Sequence, residues 1–149
     1  GRAISERQAA VRSVYTGRKF KMFRVNHIHL KGPDPKKTAQ WYVDVFGAVI
    51  VGEGEGLGRS RTVRLDIQGT RINVTSAPAG QTLPQGTAES HYGLEHFGFD
   101  TDDIEGAMSR VQSHGAEVLL PITRTGTGSK IAYVKGPDNV RIELVQPVA

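Results

Sequence analysis

Polar and apolar side chains alternate in the first regular segment of the sequence, residues 25–31. His27 and His29 fall on one face of this predicted strand, and Ile28 and Leu30 fall on the other, which is the two-residue period of an extended chain. The apolar side chains that follow recur at helical spacing instead. The pattern therefore predicts a strand followed by an amphipathic helix.

This order of elements occurs twice along the chain. In the first half we predict strands at 25–31, 48–53, 60–68 and 71–76, a helix from 34 to 47, and a glycine-rich loop at 52–58. In the second half we predict strands at 94–100, 117–120, 130–135 and 140–146, and a helix that opens at Asp102 or Asp103 and ends at Gly115. Residues 77–93, rich in Pro, Gly, Ser and Thr, form the predicted linker. The predicted fold class is therefore α+β, with two tandem βαβββ modules at 25–76 and 94–147.

Basic residues are concentrated at the N-terminus. Residues 1–24 carry a net charge of +6 and the whole chain +4, so the other 125 residues are mildly acidic at −2. We interpret residues 1–24 as a basic arm that is solvated or packed on a partner, rather than bound to nucleic acid, and residues 25–149 as the globular domain. The arm lacks the apolar core of a signal peptide, and no apolar run is long enough to span a membrane. The sequence does not fix the compartment, and a cytoplasmic location is our expectation.

The chain contains no cysteine, so disulfides and thiolate metal sites are excluded. Polar residues stand at matching places in the two modules: His27 and His96 are 69 positions apart, and Asn73 and Glu143 are 70 apart. If the modules pair by two-fold symmetry, His27, His96 and Glu143 converge on one point. Two imidazoles and a carboxylate leave open coordination positions and suit divalent Fe, Mn, Ni, Co or Zn. A single buried histidine is more often a structural residue, so this prediction depends on all three together.

Four segments carry a resemblance to a known family. They are VNHIHL at 25–30, WYVDVFG at 41–47, EHFGFD at 95–100 and GPDNVRIEL at 136–144. In this order and spacing they resemble the vicinal-oxygen-chelate superfamily, which includes glyoxalase I, methylmalonyl-CoA epimerase, fosfomycin-resistance proteins and extradiol dioxygenases. The resemblance covers residues 25–147. It implies a glyoxalase-like metal-binding cup, a small-molecule substrate, and a homodimer whose modules pair within one chain or between chains.

The same resemblance implies a set of ligand positions. One ligand comes from the first strand and one from the last strand of each module, which gives His27, Asn73, His96 and Glu143. Asn73 departs from glyoxalase-like members, which have a carboxylate there, and from epimerase-like members, which have a glutamine. An asparagine oxygen is a weaker ligand and cannot serve as a base. Asn73 is therefore open to three interpretations: fourth ligand, substrate-binding residue or packing residue.

Other polar residues surround these positions. We predict that Glu143, His29 and Tyr133 are catalytic, with His29 or Glu143 moving a proton. Arg71 and Arg141 lie two residues from the ligand positions on the same faces and are predicted to bind a carboxylate, phosphate or enolate. The alternatives are a histidine at the rim of the site, a tyrosine that only packs, and arginines that form salt bridges with the acidic body.

The function that follows is a metal-dependent lyase, isomerase or epimerase acting on a small molecule with vicinal oxygens, through a metal-stabilised enolate or oxyanion. One alternative is an Fe(II) extradiol-type ring-cleaving dioxygenase, although residues 133–143 lack parts of the extradiol pattern. Another is a metal-free small-molecule binding or resistance module, which would not need the three ligands. The sequence names neither the substrate nor the metal.

Overall fold

A computed structural model of the chain describes residues 23–148. Nearly all of the predicted basic arm, residues 1–22, lies outside these described residues. Within them, none of the helices is long and apolar enough to cross a membrane.

Each half of the described chain contains four strands and one long helix. The first half consists of β1 (Ile28–Lys31), α1 (Pro35–Phe46), β2 (Val49–Glu55), β3 (Arg61–Ile67) and β4 (Thr70–Thr75). The second consists of β5 (Phe97–Asp100), α2 (Ile104–Ser113), β6 (Glu117–Arg124), β7 (Lys130–Lys135) and β8 (Arg141–Gln146). Short 3-10 turns, Leu57–Arg59 and Pro137–Asn139, occupy matching places in the two halves. The predicted tandem βαβββ fold is confirmed.

The two sheets have the same topology. Their strand orders are β1-β4-β3-β2 and β5-β8-β7-β6, with the first pair of each parallel and the others antiparallel. Ile28 pairs with Ile72 in the first sheet, and Phe97 pairs with Ile142 in the second. These pairs are the matching positions that the sequence repeat predicts, so the duplication extends to the register of the strands.

Local chemistry fixes the helix ends. The Asp34 side chain accepts a hydrogen bond from the backbone N–H of Lys37 and is the N-cap of α1. Pro35 begins the helix, and its ring already holds φ near the helical value. The helix ends at Gly47, whose φ of 68° favours a residue without a β-carbon. In α2 the N-cap is Asp103, whose side chain accepts from the N–H of Gly106.

The core lies between the helices and one face of each sheet. It is one continuous cluster to which both modules contribute. Its sheet residues include Leu30, Val63, Leu65, Ile72, Val74, Ala132, Val134, Ile142 and Leu144. Burying a side chain of this kind contributes about 1.5–3 kcal/mol. Because strand side chains alternate, the residues beside them point to the opposite face of the sheet, away from the helices.

The modules contact each other through α1. Phe46 stacks on Phe99 with ring centroids 4.1 Å apart, and Thr38 Oγ1 donates to Asp138 Oδ2 at 2.6 Å. The Trp41 indole N–H donates to the backbone oxygen of His114 at 2.9 Å. An apolar stack and two polar bonds therefore hold the first module against β5, the turn before β8 and the end of α2.

Several predicted boundaries were wrong, including that of β6, which was predicted to end at Leu120 and continues to Arg124. Pairing between β1 and β4 begins at Ile28, and pairing between β5 and β8 begins at Phe97. His27 and His96 therefore precede their strands by one residue, although the residues opposite them, Arg71 and Arg141, already belong to β4 and β8. The glycine-rich stretch 52–58 is only partly a loop, since β2 continues to Glu55 against β3. The predicted linker contains neither helix nor strand.

Candidate functional site

Polar side chains gather on the sheet faces that point away from the helices. In the first sheet these are His29, Asn73 and Arg71, with His27 just before β1, and in the second they are Tyr133, Arg141 and Glu143, with His96 just before β5. Each lies one residue away from a side chain that faces the core. All the site residues predicted from the sequence therefore belong to this type of face.

His96 and Glu143 lie side by side in the second module. His96 Nε2 is 3.4 Å from Glu143 Oε2, and the two side chains are 29% and 19% exposed. Two ligand atoms that each bind one ion at about 2.1 Å, at roughly a right angle, stand about 3 Å apart. The pair therefore has the spacing and the donor chemistry that a divalent transition metal accepts.

Gly98 leaves room for this carboxylate. It pairs with Glu143 across β5 and β8, and a β-carbon built on it would lie 3.3 Å from Glu143 Oε2 and 3.5 Å from Glu143 Cβ. A larger residue would crowd the acidic side chain. His29 stands at the matching place in the first module, opposite Asn73.

Tyr133 and Arg141 surround the pair. The rings of Tyr133 and His96 meet edge to face with centroids 5.1 Å apart, and Arg141 Cζ lies 4.5 Å from the Tyr133 ring centroid. Burial, followed by the negative charge of Glu143, raises the pKa of Tyr133. The phenol therefore keeps its proton at neutral pH and can donate a hydrogen bond.

Arg141 is engaged with its own chain. Its Nε lies 2.9 Å from Glu95 Oε1, and its Nη1 donates to Ala88 O at 3.2 Å. The two atoms are close but poorly aligned, so they form an ion pair without a hydrogen bond. Arg141 Nε is buried and has no hydrogen-bond partner among the described residues. These contacts are of the kind that the salt-bridge alternative expected. Substrate binding by Arg141 stays a prediction.

In the first module, His29 is held by Thr75. His29 Nε2 lies 2.9 Å from Thr75 Oγ1, which also accepts from Lys31 Nζ at 3.0 Å. Burial, and then the positive charge of Lys31, lower the pKa of His29. The rings of His27 and His29 are 5.8 Å apart, so both lie on one side of the strand as predicted.

Asn73 and Arg71 differ sharply in their surroundings. Asn73 Oδ1 is buried and has no hydrogen-bond partner among the described residues, and an amide oxygen buried in this way is costly unless something binds it. Arg71 is exposed. The fourth-ligand and substrate-binding interpretations of Asn73 both stay open.

The structure brings together only part of the predicted metal-binding set. Within residues 23–148, no three His, Asp, Glu or Cys side chains are close enough to hold one ion. His96 and Glu143 fit such an ion, whereas His27 is exposed, with its Nδ1 2.8 Å from Asn26 Oδ1. A site with three ligands would therefore need a further ligand from a second copy of the chain, or different side-chain positions within this one.

A cavity of about 1060 Å³ opens beside this pair. Its wall includes His96, the end of β1, the turn before β8 and much of the linker. His29 also lines it, so the cavity connects polar residues of both modules.

Two functional neighbours were missed from the sequence. Glu95 was assigned to a strand and hence to the face opposite His96, but it precedes β5 and contacts both His96 and Arg141. Thr75 looked like an ordinary strand residue. A threonine is common in strands, so its residue type did not indicate a role in the site. Its role follows from its position two residues after Asn73, where its hydroxyl lies within reach of His29.

Comparison with known proteins agrees with this geometry. The sequence model of the Glyoxalase/Bleomycin resistance protein/Dioxygenase superfamily matches residues 24–144. The chain belongs to this superfamily. The predicted resemblance to the vicinal-oxygen-chelate fold is thereby confirmed.

Two curated relatives in sequence are similar at the level of the whole domain. The chain is 27% identical over 143 residues to a lactoylglutathione lyase of Schizosaccharomyces pombe, covering 83% of this chain. It spans only 47% of that protein's length. It is 28% identical over 129 residues to a probable lactoylglutathione lyase of Vibrio cholerae, covering 83% of this chain and 90% of that one.

Solved structures with the same fold share less sequence. A glyoxalase family protein from Bacillus cereus has a TM-score of 0.76 at 17% identity, covering 88% of this chain and 98% of that one. The fosfomycin resistance protein FosX from Listeria monocytogenes has a TM-score of 0.66 at 20% identity, covering 85% and 95%. At these identities the likeness concerns the superfamily fold.

Proposed function

We propose that the chain is a metal-dependent enzyme of the lyase or isomerase type, acting on a small molecule with two neighbouring oxygen atoms. The observation that carries this proposal is the 3.4 Å approach of His96 Nε2 and Glu143 Oε2 in a half-buried face beside a large cavity. His96 and Glu143 would hold a divalent ion. When bound, the ion would act as a Lewis acid toward oxygen atoms of the substrate.

The residues around the pair supply the remaining functions. Tyr133 donates a hydrogen bond from its phenol to a substrate oxygen that gains negative charge, which stabilises that charge. His29, oriented by Thr75, moves a proton between substrate atoms from the opposite wall of the cavity. Glu143 is the alternative proton carrier. Proton transfer of this kind would interconvert isomers or release a leaving group.

The third ligand in this proposal is His27. Its exposed position at the entry to β1 makes it accessible to a second copy of the chain as well as to its own second module. Either a homodimer or a closer approach of the two modules would complete the set. Asn73, with its unpartnered buried oxygen, is available to bind the ion or the substrate.

Lactoylglutathione is the first compound to test, because two relatives are named as lyases of it. The chain would be stripped with a chelator, reloaded separately with Mn, Ni, Co, Zn and Fe, and assayed for lactoylglutathione formation and breakdown. If reloading with a metal restores this activity in the absence of oxygen, the result supports the lyase or isomerase proposal. A parallel assay with catechol tests the alternative: activity with iron alone, with consumption of oxygen and opening of the catechol ring, would contradict the proposal and favour ring cleavage.

Metal affinity of variants tests the ligand set directly. His96→Ala and Glu143→Ala are expected to lower it by more than about a hundredfold, since even outer-shell changes cost 10–100-fold. His114→Ala, which removes a histidine from the end of α2, is the matched control. Unchanged affinity in both site variants would refute the proposal, and an unaltered chain that binds none of the five metals would favour a binding module instead.

A further inference from the structure

The wall of the cavity that His96 lines includes two cations without an ion-pair partner among the described residues, Lys31 and Arg61. Lys31 Nζ donates to Thr75 Oγ1 and to Ser76 O, at 3.0 and 3.3 Å. Arg61 Nη2 donates to Pro33 O at 2.7 Å. Both residues line the cavity. Their partners are neutral oxygens, and neither cation takes part in an ion pair of the described residues.

The acidic residues of the same wall are already paired with donors. Glu95 lies 2.9 Å from Arg141 Nε, and Asp138 Oδ2 accepts from Thr38 Oγ1 at 2.6 Å. Glu95 is thus balanced by Arg141, whereas the neutral hydroxyl of Thr38 leaves the charge of Asp138 in place. The cavity wall carries three cations, Lys31, Arg61 and Arg141, against the two carboxylates of Glu95 and Asp138, and the surplus of one positive charge favours an anion.

The opposite wall is apolar and comes partly from the linker. Leu83 and Leu94 line the cavity while 38% and 81% exposed, and Ile28 of β1 and Phe97 of β5 also line it. Covering exposed leucine surface with an apolar group is favourable by about 25 cal/mol per Å². The wall is therefore suited to the hydrocarbon part of a ligand.

We propose that this cavity binds an organic anion, with its carboxylate or phosphate group on Lys31 and Arg61 and its apolar part against Leu83 and Leu94. Because His96 lines the same cavity, such a ligand would extend toward the metal pair. To this extent the inference deepens the proposed function and names its substrate class as an elongated amphiphilic anion.

The test uses the chelator-treated full chain, so that metal plays no part in it. Binding of 4-phenylbutyrate is compared with binding of the neutral 4-phenylbutanamide by isothermal titration. The carboxylate is expected to bind about tenfold more tightly than the amide, the loss that one charge-assisted hydrogen bond accounts for. Lys31→Met and Arg61→Met should each weaken carboxylate binding by about the same factor and leave amide binding unchanged.

Controls separate local recognition from general charge. Lys37→Met removes the same charge from α1 outside the cavity and is expected to change nothing, and Lys31→Arg should retain most of the affinity. Circular dichroism identifies any variant that does not fold. If Lys31→Met does not fold, the affinities of Arg61→Met and Lys31→Arg for the carboxylate test the proposal instead. Equal binding of acid and amide, equal loss in Lys37→Met, or no binding of either compound at millimolar concentration would overturn the proposal.

The same titration with His96→Ala distinguishes this inference from the metal proposal. Retained carboxylate binding in that variant supports an anion site on Lys31 and Arg61 even if no metal is ever found. Loss of binding in His96→Ala, with Lys31→Met unaffected, would place the anion at the histidine and refute the inference.

Discussion

The two arginines that the sequence treats as equivalent, Arg71 and Arg141, should differ strongly when each is replaced by alanine. Arg141 is 17% exposed, its Nε lies 2.9 Å from Glu95, and its guanidinium lies 4.5 Å from the Tyr133 ring centroid. Arg71 is exposed. The structure therefore assigns Arg141 a role in holding the linker and Glu95 in place.

The magnitude follows from these contacts. Removing Arg141 leaves the part-buried carboxylate of Glu95 without its partner, which costs about 1–3 kcal/mol, and loss of a partly exposed cation–π contact adds about 0.5–1 kcal/mol. The contacts to the linker are long, at 3.2 and 3.4 Å, and add little. Arg141→Ala should lower the free energy of unfolding by about 2–3 kcal/mol, against about 0.5 kcal/mol or less for Arg71→Ala.

Urea unfolding of both variants measures this difference, and amide hydrogen exchange locates it. In Arg141→Ala the linker around Ala88 and Ser90 should exchange faster, while exchange in β4 stays unchanged. A double-mutant cycle with Glu95→Gln should give a coupling energy of about 1 kcal/mol or more. Equal destabilisation by the two alanine variants, or unchanged exchange in the linker, would refute this account of Arg141.

Four further predictions concern the folded scaffold. Tyr42→Phe should raise the free energy of unfolding by about 1 kcal/mol, because the buried hydroxyl has no partner among residues 23–148; a clear loss of stability would show that it has one. Burial also raises the pKa of Tyr42. The free energy of unfolding should therefore be independent of this group below the ordinary tyrosine pKa of about 10 and should fall as the pH rises above it, because the unfolded chain then loses the phenol proton more readily. Urea unfolding at alkaline pH should show a smaller fall in Tyr42→Phe. Gly47→Ala should cost about 1 kcal/mol in thermal unfolding, because the residue has a φ of 68°; no change would contradict the left-handed cap. Asp103→Ala should cost about 1 kcal/mol as the loss of an N-cap, whereas Asp102→Ala should be nearly neutral, and the opposite ranking would show that the cap is misassigned.

The helices could be predicted closely from the sequence because their ends depend on local chemistry. Asp34, Pro35 and Gly47 act on backbone groups within a few residues, so their effect is visible in sequence order. The repeat likewise predicted which positions of the two modules are equivalent, and the structure pairs them in the same way, Ile28 with Ile72 and Phe97 with Ile142.

The first residues of the strands could not be predicted in this way. Whether His27 or His96 enters a ladder depends on how its segment approaches a strand more than forty positions away, and periodicity does not report that approach. The position of Glu95 was wrong for the same reason, because alternation constrains only residues that are inside a strand.

The difference between Arg71 and Arg141 was also hidden from the sequence. Both follow a turn and precede an isoleucine, and only the path of the linker gives Arg141 its contacts with Ala88 and Ser90. Tertiary packing of an irregular segment determines this difference, and such packing leaves no periodic signal.

The most direct test of the candidate metal pair is anomalous diffraction from crystals of the manganese-loaded chain, recorded at the manganese absorption edge. We expect one strong anomalous peak bonded to His96 Nε2 and Glu143 Oε2, with His27 from the same chain or a second copy as the further ligand. A saturated crystal whose manganese peak lies away from both His96 and Glu143, or that shows no peak, would contradict the proposed function.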